Sequence, residues 1–146
     1  MPLPIDRMPA DARTAAARTI GLARDLKELR AARRSAVPNP WQPLALASGW
    51  MPAGSTWAAP QVRQQPDGTV QLLGSIVPGT LTAGTVLAAL PAGFAPQDDL
   101  EWRVGGGAAT SSADLYVIAA TGAVTIQNIS GTITRISLSA LIFPAA

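Results

Sequence analysis

Residues 67–96 read DGTVQLLGSIVPGTLTAGTVLAALPAGFAP, a stretch cut so often by turn residues that little except short β-strands can form in it. Asp67-Gly68 readily takes the positive φ angles of a tight hairpin turn, and Thr69 to Ile76 follows as an apolar, β-branched run. Pro78-Gly79 and Ala83-Gly84 then interrupt the chain, and Thr85 to Leu90 supplies a second apolar run. Pro91-Ala92-Gly93 closes the stretch with a turn that can continue neither strand nor helix. The two runs are expected to form a central hairpin within an antiparallel sheet.

Charge divides the chain differently. Of 146 residues, 14% are charged and 48% hydrophobic. Residues 1–36 hold eight of the eleven Arg and Lys and four of the nine acids. Residues 37–146 keep Arg63, Arg103 and Arg135 against Asp67, Asp98, Asp99, Glu101 and Asp114. A soluble monomer exposes a surface that is about 25–35% Lys, Arg, Glu and Asp. So sparse a charge pattern predicts that another chain covers part of this surface.

Three segments follow: an extended leader over 1–8, a helix over 9–36 and a β-rich head over 37–146. The leader carries two prolines with Leu3 and Ile5, which suit either a disordered end or a peg docking into a partner. The helix segment is rich in Ala, Leu and Arg with one Gly and no internal Pro. Met8, Ala12, Ala15, Thr19, Leu22, Leu26, Leu29 and Arg33 fall at alternating steps of four and three, the spacing of a coiled-coil seam. Its strong positions are Leu22, Leu26 and Leu29. An apolar stripe on such a helix pairs with copies of itself or folds back onto the sheet, and self-association is the expected outcome. Pro38-Asn39-Pro40 ends the helix, because a residue before proline is pushed out of the α region.

Beyond that boundary, candidate strands run over 57–64, 102–104, 113–121, 123–129 and 133–143, with loops of Gly, Pro, Ser and Asp between them. Gly105-Gly106-Gly107 lacks the Gly-Lys-Ser/Thr of a phosphate cradle and is expected to be a flexible surface loop. Seven or eight short strands at intervals of about ten residues predict a β-sandwich of jelly-roll type. The expected fold is thus mainly β: an antiparallel sandwich head on an N-terminal coiled-coil helix.

A lead-in containing Trp41, Gly49 and Trp50 precedes Asp67, Gly68, Val70, Leu72, Gly74, Gly79, Thr80, Gly84, Thr85, Leu90, Pro91, Gly93 and Pro96. Ser137, Leu138, Leu141, Phe143 and Pro144 close the pattern. Over residues 41–146 this resembles the β-rich C-terminal domain of actinobacteriophage minor tail proteins and tail fibres. The resemblance implies a homotrimer; Leu at both seam positions leaves the oligomer number open. It also implies a structural protein of the virion, made in the host cytoplasm and carried out on a particle.

Chemistry is scarce. With no His and no Cys, Ser-His-Asp and Cys-His machinery and the usual zinc sites are excluded. Asp98, Asp99 and Glu101 form the one local acid cluster, which more often solvates a turn than serves a glycosidase or calcium site. No enzyme activity, cofactor or metal is expected. The basic residues of the helix are interspersed with acids and lack interleaved aromatics, which suits a solvated coiled-coil exterior better than nucleic-acid binding. No secretion signal is present, and no apolar run reaches the length of about 20 residues that a bilayer requires.

Trp50, Trp57 and Trp102 are the candidate receptor contacts, since indole faces stack on sugar rings, although core burial competes with that role. Trp57 is favoured by its Gly54-Ser55-Thr56 flank. The expected function is a short trimeric tail fibre or minor tail component that binds a host-surface glycan, with Ala15, Thr19, Leu22, Leu26 and Leu29 joining the copies. The alternative is a head fibre or capsid decoration protein that docks on the shell through its leader.

Overall fold

The computed structural model describes residues 10–35 and 37–146. The leader with Leu3 and Ile5, and the seam residue Met8, lie outside the described residues, as does Ala36. The chain divides into two units, Met1–Val37 and Pro38–Ala146.

The first unit carries α1 (Ala10–Ser35), a helix of 26 residues and therefore about 39 Å long. Straight-chain and small residues favour it throughout, and Pro38 lies just past its end. Leu22, Leu26 and Leu29 are 65%, 53% and 66% exposed, and Ile20 is exposed beside them. Ala15 and Thr19 are exposed too, with the Thr19 hydroxyl donating to the Ala15 carbonyl at 3.0 Å. Arg24 and Glu28 meet one turn apart at 3.0 Å, an exposed pair that contributes only about 0.3–0.5 kcal/mol. α1 is not apolar enough to cross a membrane.

The second unit is built from twelve short strands: β1 (Gln42–Pro43), β2 (Ala45–Leu46), β3 (Met51–Pro52), β4 (Gln61–Gln64), β5 (Thr69–Leu73) and β6 (Ser75–Val77), then β7 (Val86–Ala89), β8 (Leu100–Gly105), β9 (Ser112–Val117), β10 (Ala123–Ser130), β11 (Ile136–Ser137) and β12 (Ile142–Pro144). They form three sheets, in the orders β1-β4-β5-β12, β2-β7-β10-β9-β8 and β11-β6-β3. Every pairing is antiparallel.

Period-two alternation explains which side each strand buries. On β5, Val70 and Leu72 point inward while Thr69, Gln71 and Leu73 are half-buried. Across the five-stranded sheet, Val104, Ala113, Leu115, Val117, Val124 and Ile126 face one apolar core. That core also takes Val62 and Phe143 of the four-stranded sheet and Ile76 and Ile136 of the three-stranded one. Trp102 of β8 reaches Phe143 of β12 with ring centroids 5.6 Å apart, which ties the two larger sheets together. The opposite face of the five-stranded sheet is polar: Arg103 donates to the buried Asp114 at 2.9 Å, and Asn128 donates to the other carboxylate oxygen at 3.0 Å.

The stretch 67–96 does not form a hairpin of its own. Its turn joins β4 to β5 instead, with the Gln65 amide donating to Thr69 and Gly68 at φ 86°. Gly74 then breaks the expected run of Thr69 to Ile76: it sits at φ 106°, and a side chain there would overlap the Ala59 carbonyl. Ser75 leaves the four-stranded sheet for the three-stranded one, and the second apolar run, β7, joins the five-stranded sheet. One stretch thereby feeds all three sheets. The expected strand 133–143 is likewise split into β11 and β12 by a turn in which the Leu141 amide donates to Leu138. The strand expected from Trp57 begins at Gln61, after Pro60, which has no amide to give a ladder.

Candidate functional site

Trp57 lies outside the strands, in a turn closed by its own amide donating to Gly54 at 3.2 Å. Trp57 is 47% exposed. The Arg135 guanidinium lies over the ring, 3.4 Å from its centroid. Residues 78 positions apart meet because of β6. The Ser75 amide donates to the Ala58 carbonyl, next to Trp57, while Ser75 is also the register partner of Ser137, two residues past Arg135. Both flanks of the pair therefore hang on one residue of the three-stranded sheet.

Arg135 is held from the far side as well. The Gly106 carbonyl accepts the amides of Thr134 at 2.7 Å and Arg135 at 3.1 Å, and the Thr134 hydroxyl reaches the same oxygen at 3.3 Å. Gly106 is buried, and a Cβ there would overlap Ile133 Cδ1 and crowd Ser111. Ser111 closes the loop: its carbonyl accepts the Gly106 amide, and its hydroxyl bridges the amide and carbonyl of Ala108. The Gly-rich segment, expected as a flexible loop, is a tied clamp whose glycine is required by space.

The remaining tryptophans divide by burial. Trp50 is 4% exposed and belongs to the core, where its indole nitrogen has no hydrogen-bond partner. That burial removes it from the candidate receptor contacts. Gly79 packs against the Gly49 backbone and the Trp50 ring, which explains a pair of glycines there. Trp102 is half-buried against Phe143. Trp41 lies under the Arg63 guanidinium, 4.3 Å away, and Arg63 in turn donates to Gln71 at 3.0 and 2.9 Å.

The acid cluster is dispersed. Asp99 accepts the Ala119 amide at 2.7 Å and so fastens a turn. Glu101 interacts across the strands with Tyr116 and, as the largest cause, raises the phenol above its ordinary value of 10.0. Asp98 borders a shallow groove of about 240 Å³ between residues 96–100 and 144–145. Among the described residues no three such side chains come together as metal ligands.

No protein-family model matches the chain, and no curated protein matches it. Among solved structures it is similar to the receptor binding protein gp15 of Listeria phage PSA, with a TM-score of 0.64 and 18% sequence identity. The match covers 96% of this chain and 82% of that one. The likeness is one of fold.

Sequence reasoning expected Trp57 to be exposed from its small, polar flank, and did not foresee Arg135 over its ring. The available signal was scarcity: in a segment with three cations, each is worth asking after. Nothing in local sequence signals that Gly106 would anchor a residue 29 positions downstream.

Proposed function

We propose that this chain is a non-enzymatic attachment protein of a phage virion: a short homotrimeric tail fibre or minor tail component that binds a glycan on the host surface. The observation that carries this reading is the fold shared over 96% of the chain with a phage receptor binding protein. In this reading the second unit is a β-sandwich head and α1 is the coiled coil that joins three copies. The exposure of Leu22, Leu26 and Leu29 supports the coiled coil, because three leucines on one helical ridge gain most by packing against their counterparts. The sparse charge of residues 37–146 supports contact between heads. The sequence pattern over 41–146 points to an actinobacteriophage as the source.

Trp57 with Arg135 is the contact site we assign on the head, and three copies on one stalk would gain by avidity. Fluorescently labelled protein added to a panel of actinobacterial cells tests the reading. Labelling of a susceptible strain that free wall glycan competes away supports it, and absence of labelling across strains that the parent phage adsorbs to overturns it. Light scattering should give three times the 15.0 kDa chain mass. A particle map with the protein on the shell instead of the tail would replace the fibre with a capsid decoration.

A further inference from the structure

We infer that the Trp57–Arg135 pair recognises an acidic group, a carboxylate or a phosphate, carried on the saccharide that the head binds; this rests on the attachment reading above. Three observations point to charge as what is read.

The first is which face of the indole is free. A guanidinium 3.4 Å from the ring centroid occupies one side of Trp57, so a sugar approaching that side meets the cation before it meets the ring. Stacking uses the flat faces of a guanidinium and leaves its N–H donors in the plane, directed outward around the edge. Those donors match the paired oxygens of a carboxylate or phosphate.

The second is the disposition of the other cations in the head. Arg63 gives its donors to Gln71, and Arg103 gives one to Asp114. Arg135 stacks on Trp57, and among the described residues no oxygen accepts from its guanidinium. It is the one arginine of the head whose guanidinium gives no hydrogen bond to the protein, so its whole donor edge is left for a ligand.

The third is preorganisation. Gly106 fixes the Arg135 backbone, Ser75 fixes both flanks of the pair, and stacking on Trp57 holds the guanidinium, so less freedom remains to be lost when an anion arrives. A solvated arginine on a mobile loop would gain far less from one contact.

The test titrates the full-length, isotope-labelled protein with glucuronate, its methyl ester, glucose 6-phosphate, glucose and inorganic phosphate, following the Trp57 indole N–H and the Arg135 Nε–H by NMR. Glucuronate, glucose 6-phosphate or both should shift the two resonances at millimolar concentration, with the responding acid identifying the group read, while glucose and the methyl ester should not. Arg135→Gln should weaken the interaction about tenfold or more, the loss of a charge-assisted hydrogen bond. Trp57→Phe keeps an aromatic platform and should retain most of the binding, with an otherwise unchanged spectrum confirming that both variants fold.

Equal shifts from glucose and the acids, no shift from either acid, or an Arg135→Gln protein that titrates like the parent would each overturn the inference. Inorganic phosphate matching glucose 6-phosphate would reduce the site to a simple anion patch and overturn its saccharide part. Cell labelling separates this inference from the reading beneath it. If Arg135→Gln labels cells as the parent does, attachment stands and the acidic subsite falls. If neither protein labels cells, attachment falls, and the titration still decides the subsite.

Discussion

Gly106 carries its weight by lacking a side chain. Its carbonyl fixes Thr134 and Arg135, and its Cα lies where a methyl would overlap Ile133 and Ser111. Gly106→Ala should destabilise the head by about 1–3 kcal/mol, the usual cost of overpacking. Urea unfolding measures that cost, and the Trp57 indole resonance should move in the same variant because Arg135 loses its anchor. Tyr116 offers a second check at this scale. It is the chain's one tyrosine, so phenolate absorbance reports it alone. Glu101 raises its pKa, which means that folding favours the protonated phenol. That contribution is complete below pH 10.0 and is lost as pH rises through the higher folded value. Glu101→Gln should bring the titration midpoint back toward 10.0; an unmoved midpoint would remove Glu101 as the cause.

Among the elements, β10 carries an irregularity with a purpose. Its register with β9 shifts between Gln127 and Ser130, and Asn128 in that bulge has φ 41°, the left-handed region that asparagine tolerates better than most residues. From there its side chain donates to the 5%-exposed Asp114. Asn128→Ala should cost about 1–2 kcal/mol in backbone strain on top of that hydrogen bond, whereas Asn128→Gly should cost the hydrogen bond with no such strain. Thermal unfolding should therefore rank glycine above alanine. For α1, replacing Leu22, Leu26 and Leu29 together with Gln keeps helix propensity and removes the apolar ridge. The expected result is a fall in mass to the single 15.0 kDa chain with the β signal intact. A mass unchanged by the triple replacement would place the contacts between copies elsewhere.

Among the described residues, every buried core residue lies beyond Pro38. A fragment of residues 38–146 should thus keep dispersed amide resonances and cooperative unfolding; a collapsed spectrum would show that the head depends on α1. This division also marks what could be read from the chain alone. The helix, the mainly β character of the rest and the positions of most turns were legible, because propensity and Gly/Pro punctuation are local. Sheet membership was not. Gly74 looked like one more small residue in a β-branched run, yet its φ of 106° sends the chain into a different sheet. Trp50 and Trp57 looked equivalent by residue type and differ because one packs beneath Gly79 while the other stands beside Arg135. The exposure of Trp57 was legible in its flank, but the cation over its ring comes from Arg135, 78 positions away, which no window of sequence contains.

The route from Trp57 through Ser75 and Gly106 to Arg135 has a consequence for how the proposed contact would be lost. The stacked pair is assembled from four separate stretches of chain that only the folded head brings together, so a head that unfolds cannot keep it. If the pair is the contact site proposed above, loss of adhesion should set in together with loss of the native head on heating, and a preparation that still adheres would thereby report that its heads are folded.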